Sequence, residues 1–156
     1  MKLILLLTLA LSYLTEVNSM SIFGVGKTCV FSSVKVQLLN NGKPVTNAKV
    51  IRQWNWNELK TDESVTDSDG YVTFPAVFES SISRLLPIEI VIGQQLSVFI
   101  NDEEKVFWTN GKRKADENSE YGGVEFVAVC EINGEEKLIE NYGSLMVTMC
   151  ELKKGN

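Results

Sequence analysis

A chain of 156 residues with 44% apolar side chains is long enough to bury a real core, and its 20 acidic against 15 basic residues leave a net charge of −5. That balance disfavours nonspecific binding to nucleic acid or anionic lipid; it suits a basic protein partner, or simply keeps an exported protein soluble. The chain has no histidine, which excludes Ser-His-Asp and Cys-His nucleophile arrangements and removes the commonest general base.

The first residues read as a leader. Lys2 precedes an apolar run over residues 3–11, and Val17-Asn18-Ser19 offers compact residues at a cleavage site. The run is too short for the ~20 apolar residues of a membrane-spanning helix. The expectation is a signal peptide over residues 1–19, cleavage near Ser19, and one exported domain over residues 20–156 in the periplasm or outside the cell.

From Val34 onward the period is two. Val34, Val36 and Leu38 alternate with Lys35 and Gln37, then Asn41-Gly42 supplies the positive-φ pair of a tight turn and Pro44 marks re-entry. Ala48, Val50 and Ile51 lead toward Trp54 and Trp56. A further strand pair is expected around a Ser68-Asp69-Gly70 turn, with Tyr71, Thr73 and Phe74 in its second arm.

The pattern weakens over residues 79–86, where serines interrupt it. Strands resume over residues 88–92, 96–100 and 105–109, with a turn at Asn101-Asp102. Residues 110–123 read as the most loop-like and mobile stretch, with Lys112, Arg113 and Lys114 solvated there. A strand carrying Val124, Phe126, Ala128, Cys130 and Ile132 then turns at Asn133-Gly134 and returns over residues 137–142. Residues 145–150 are apolar on both faces, so that strand is expected to be covered. The sum is an all-β fold, a single antiparallel β-sandwich of prealbumin or immunoglobulin type with about seven to nine strands after the signal helix.

Cys29, Cys130 and Cys150 would meet an oxidising compartment after export. Three pairings are open. Cys29 with Cys130 is favoured, because it would close a long loop and restrict the unfolded chain by on the order of 4 kcal/mol; Cys130 with Cys150 across a final hairpin is the local alternative.

Reaction chemistry is sparse. Asp67 and Asp69 supply only a fragment of a calcium loop and read as a turn. Glu103-Glu104 and Glu135-Glu136 sit beside expected turns, as solvated pairs rather than glycosidase acids. Gly24-Val25-Gly26-Lys27 lacks the spacing of a phosphate loop. No cofactor or metal is expected. The residues singled out for binding are Trp54 and Trp56, two apart on one strand face, with Arg52 beside them and Trp108 as a third aromatic. Packing at the core edge is the favoured reading of that pair; an exposed patch would be the leading interface.

The segments Asn41-Gly42-Lys43-Pro44-Val45, Ala48-Lys49-Val50 and Thr66-Asp67-Ser68-Asp69-Gly70-Tyr71-Val72-Thr73-Phe74 together resemble the carboxypeptidase-regulatory or transthyretin-like sandwich domain. Asn47 stands where that pattern commonly has glycine, and Asn tolerates left-handed backbone better than most residues. Cys29-Val30-Phe31-Ser32 and Leu85-Leu86-Pro87 are similar to segments of a bacterial family of small exported proteins of unknown function. That second resemblance implies periplasmic immunity proteins that neutralise secreted toxins. The function expected is therefore a non-catalytic, protein-binding sandwich with a toxin as partner, and a carbohydrate or cell-envelope binding module as the alternative.

Overall fold

The computed structural model describes residues 26–80 and 89–153; the leader and the Leu85-Leu86-Pro87 segment lie outside the described residues. Thirteen strands are described. In chain order they are β1 (Lys27–Phe31), β2 (Val34–Asn40), β3 (Lys43–Pro44), β4 (Lys49–Asn55), β5 (Leu59–Val65), β6 (Tyr71–Phe74) and β7 (Val77–Ser80). They continue as β8 (Ile92–Ile100), β9 (Glu103–Lys112), β10 (Phe126–Glu131), β11 (Lys137–Ile139), β12 (Met146–Thr148) and β13 (Cys150–Leu152).

The architecture is all-β, as the period-two pattern requires. An antiparallel six-stranded sheet runs β11-β12-β9-β8-β4-β5, and a five-stranded sheet runs β13-β10-β2-β3 with β6 also on β2. One apolar cluster collects Val36, Leu38 and Phe126 from the smaller sheet with Val50, Leu96 and Trp108 from the larger, which is the core of a sandwich. β1 and β7 form a separate two-stranded ribbon whose Val30 and Phe31 enter the same cluster. One pairing departs from the antiparallel expectation: β10 lies parallel to β2, from Phe126 opposite Val34 to Glu131 opposite Leu39. Strands that far apart in the chain leave no turn signal to announce their pairing.

The turns obey their residues. Asn41 and Gly42 both have positive φ, and the Glu131 carboxylate accepts their N–H groups at 2.8 and 2.9 Å. Those backbone donors, Gly42 first, hold the Glu131 carboxyl below its ordinary value against the opposing effect of burial. Asn47 has a φ of 53°, the left-handed geometry that lets it replace glycine. Asp67 Oδ1 accepts the N–H groups of Asp69 and Tyr71 at 2.9 and 2.8 Å, so this aspartate builds a turn. Gly70 has a φ of 78°, and a Cβ there would stand 2.6 Å from the Leu38 carbonyl oxygen. Only glycine fits.

Three expected strand connections differ. The polar stretch after Trp56 forms β5, which pairs with β4; β6 pairs with β2, so the 66–70 turn carries the chain between sheets and makes no hairpin. The Asn133-Gly134 turn likewise separates β10 in the smaller sheet from β11 in the larger. Residues 145–150 split into β12 and β13, one in each sheet, with the Met149 N–H bound to the Phe107 carbonyl at 3.0 Å between them. Apolar character on both faces thus marks a crossing. The regions expected as strands 88–92 and 96–100 resolve into β8 alone, among the described residues.

The cysteine pairing is also corrected. Cys130 stands directly opposite Cys150 in the β10–β13 ladder, Cα atoms 3.9 Å apart, and these two form the disulfide. Cys29 is not the partner of Cys130; it lies on β1 in the separate ribbon as a buried free thiol. Among the described residues no helix is long and apolar enough to cross a membrane.

Candidate functional site

Alternation along β4 turns Val50, Arg52 and Trp54 inward. Arg52 is 0% exposed. Its Nε and Nη2 donate to the two Asp62 carboxylate oxygens at 2.9 and 2.5 Å, and Nη1 donates to the Pro75 carbonyl at 2.5 Å. Its guanidinium also lies 4.8 to 5.6 Å from the ring centroids of Phe74, Phe31 and Trp54. A fork of donors satisfied on every side and boxed by aromatic faces is a structural tie across β4, β5 and the β6–β7 connection.

Trp54 is buried beside it, its Nε1 donating to Glu79 at 2.7 Å. Trp108 is buried too, with Phe31 and Phe126 centroids 5.5 and 5.6 Å away and Tyr121 stacked on Phe126 at 4.1 Å. Trp56 packs against the core with part of its ring in solvent. The exposed aromatic patch considered for these residues is therefore not formed: Arg52, Trp54 and Trp108 belong to the interior. Large rings contribute more by filling a sandwich this size than by lining its surface.

A second buried charge centre carried no sequence signal. Lys112 and Glu120, each 1% exposed, pair at 2.7 Å between Nζ and Oε2. Ser32 Oγ donates to the same oxygen at 2.6 Å and Gln94 Nε2 to the other at 2.9 Å. Lys112 Nζ also donates to the Asp116 carbonyl at 2.8 Å, and the Asn118 N–H donates to Ser32 Oγ at 2.7 Å. Burial pushes the Glu120 carboxyl up, but the Lys112 charge and the hydrogen bonds from Lys112, Ser32 and Gln94 outweigh it and hold the group below its ordinary value. The stretch expected as a solvated loop is thus anchored at its centre, and Lys112 is a core residue rather than part of a basic surface cluster. Burial pushes the neighbouring Cys29 thiol up despite the opposing Ser32 contact and Lys112 charge, which keeps it protonated and unreactive.

The outward face of the same sheet is chemically different. One row of opposed residues reads Leu59, Asn55, Gly93, Gly111, and then Leu145, whose carbonyl accepts the Gly111 N–H at 3.1 Å. The next row reads Gln53, Gln95, Thr109 and Val147, with exposed Leu138 beyond. The paired glycines remove two adjacent side chains from the middle of the sheet, leaving a groove of about 520 Å³. Leu59 and Leu145 wall it at 59% and 55% exposure. Among the described residues, Arg113, ion-paired with Glu89, is the one charged residue in its lining. The detectable signal was Gly93 and Gly111 inside or beside apolar runs, since glycine in a strand often marks close approach by another group.

These features define an all-β domain of two packed sheets and a two-stranded ribbon, with two internal charge centres and an open groove on its larger sheet. The chain belongs to the DUF6795 family, a domain of unknown function whose model matches residues 34–135. No curated protein and no solved structure matches it.

Proposed function

We propose that this protein is an exported, non-catalytic binding domain that neutralises a secreted toxin in the periplasm, and that its fold is kin to the transthyretin-like sandwiches. The reading is supported by the leader pattern of residues 1–19, by the Cys130–Cys150 disulfide that suits an oxidising compartment, and by the acidic balance that favours a basic partner. The observation that carries it is the groove beside Gly93 and Gly111, a broad concavity with aliphatic walls across the larger sheet. Binding there would occlude a partner by shape and desolvation, without bond chemistry. The carbohydrate alternative is weakened because Trp54 and Trp108 are buried and cannot serve as stacking platforms.

Cells expressing a toxin encoded beside this gene test the proposal. The full chain with its leader should restore growth, while the same chain lacking residues 1–19 should not. Failure of the leader-bearing chain against every adjacently encoded toxin would overturn the immunity reading.

A further inference from the structure

We infer that the groove takes an extended, uncharged segment of a protein partner that seats one aliphatic or aromatic side chain on the Gly93–Gly111 floor. The inference rests on the protein-binding reading above and adds the site and the chemistry of the contacting segment.

Neither glycine is required by the fold. Both lie outside the positive-φ positions of the chain, so their backbones suit any residue. A Cβ on Gly111 would have no atom within 4 Å, and one on Gly93 would meet only Asn55 atoms at 3.9 Å, ordinary contact. Glycine in a strand costs roughly 0.5–1 kcal/mol relative to alanine. At two facing positions of a central strand pair that cost brings no compensating contact within the chain. What it leaves is open backbone surface.

The dimensions match one side chain with its flanking backbone. Four strand steps of ~4.8 Å separate Leu59 from Leu145, about 19 Å, and the glycines clear the middle of that span. Leu145 and Val147 supply an apolar wall that an anchor side chain can cover, as central anchors do in protein interfaces. Gln53, Gln95 and Thr109 form a polar margin able to donate to and accept from the main chain of the segment.

Charge selects the occupant further. Among the described residues no carboxylate lines the groove, and Arg113 is already ion-paired with Glu89. A basic segment would lose water without gaining a counter-charge, and an acidic one would face the net charge of −5 with one occupied guanidinium to receive it. An uncharged segment meets neither penalty. Among the described residues no aromatic ring lines the groove, so they offer a sugar no face to stack on.

The test is a random twelve-residue peptide display library selected on the full chain, followed by titration of selected peptides with amide shifts read by NMR. Enriched peptides should converge on a single aliphatic or aromatic position among uncharged neighbours and shift the amides of Gly93, Gln95 and Gly111. Their affinity should fall at least tenfold in Gly93→Val/Gly111→Val and several-fold in the milder Gly111→Ala, with both variants folded by circular dichroism. Failure to enrich peptides, peptides that bind the filled variant equally, or peptides that shift other amides would overturn the inference. So would a glycan-panel response, or a dimer seen by sedimentation, that filling abolishes. Toxin protection in cells separates the two levels: protection that survives Gly93→Val/Gly111→Val leaves the protein-binding reading standing and removes this site, whereas absent protection beside groove-dependent peptide binding does the reverse.

Discussion

On the inward side of β4, β8 and β9 sit Arg52, Trp54, Gln94, Trp108 and Lys112; on the outward side of the same strands sit Gln53, Asn55, Gly93, Gln95, Thr109 and Gly111. The inward set is rich in the groups usually associated with function, yet each charge there is matched within the chain. The outward set holds almost no chemistry and leaves a groove that none of the described residues fills. Conspicuous residues can therefore be structural while inconspicuous ones shape a surface, because a buried charge must be satisfied internally and a missing side chain needs no compensation.

The contrast is broken most severely by Lys112→Met. It strands Glu120 in the core without its counter-charge, and a loss of roughly 3–5 kcal/mol is expected in denaturant unfolding. A loss below about 1 kcal/mol would mean that the pair is not the internal clasp described here.

Acid titration sharpens the same point. With its folded value lowered, Glu120 contributes stability that is present above the unfolded carboxylate value near ~4.3 and disappears as pH falls through the folded value. In Lys112→Met the same carboxyl is buried without its cation, its folded value rises, and its contribution is instead lost as pH rises. Unfolding free energies measured from pH 3 to 7 should therefore differ in the sign of the Glu120 contribution between the two proteins. Parallel curves would contradict this.

Reduction of Cys130–Cys150, or Cys150→Ser with Cys130→Ser, should cost about 3 kcal/mol by the loop-entropy estimate for a separation of 20 residues. Nonreducing mass spectrometry should find Cys29 free, and native Cys29 should resist alkylation until the chain unfolds.

The strands were legible in the sequence where one face is apolar, as in β2 and β10, and the turns were legible where Asn-Gly or Asp-Gly demands positive φ. Connections were less so: a turn sequence sets local geometry but does not say whether its arms pair or enter opposite sheets, as the turns after β5 and β10 show. The disulfide followed that topology, since the sheet switch at Met149 lays β13 antiparallel on β10 and sets Cys150 opposite Cys130. Trp54 is the last inward residue of β4 while Trp56 falls in the bend beyond Asn55, so a spacing of two did not place both on one strand, nor does spacing say whether a face is covered. The groove was hidden for another reason. Gly111 falls at the start of the stretch that reads as a loop, and its role emerges only when the ladder sets it opposite Gly93.

Gly93→Val/Gly111→Val should have the smallest effect on stability, and for that reason it bears hardest on the contrast between the two faces. Equilibrium unfolding of this variant beside the unaltered chain is expected to give an equal or higher midpoint with an unchanged denaturant slope, because valine favours strands and both positions have room for a Cβ. A loss of more than about 2 kcal/mol would show that the fold itself needs the glycines and would contradict the assignment of the outward groove to recognition.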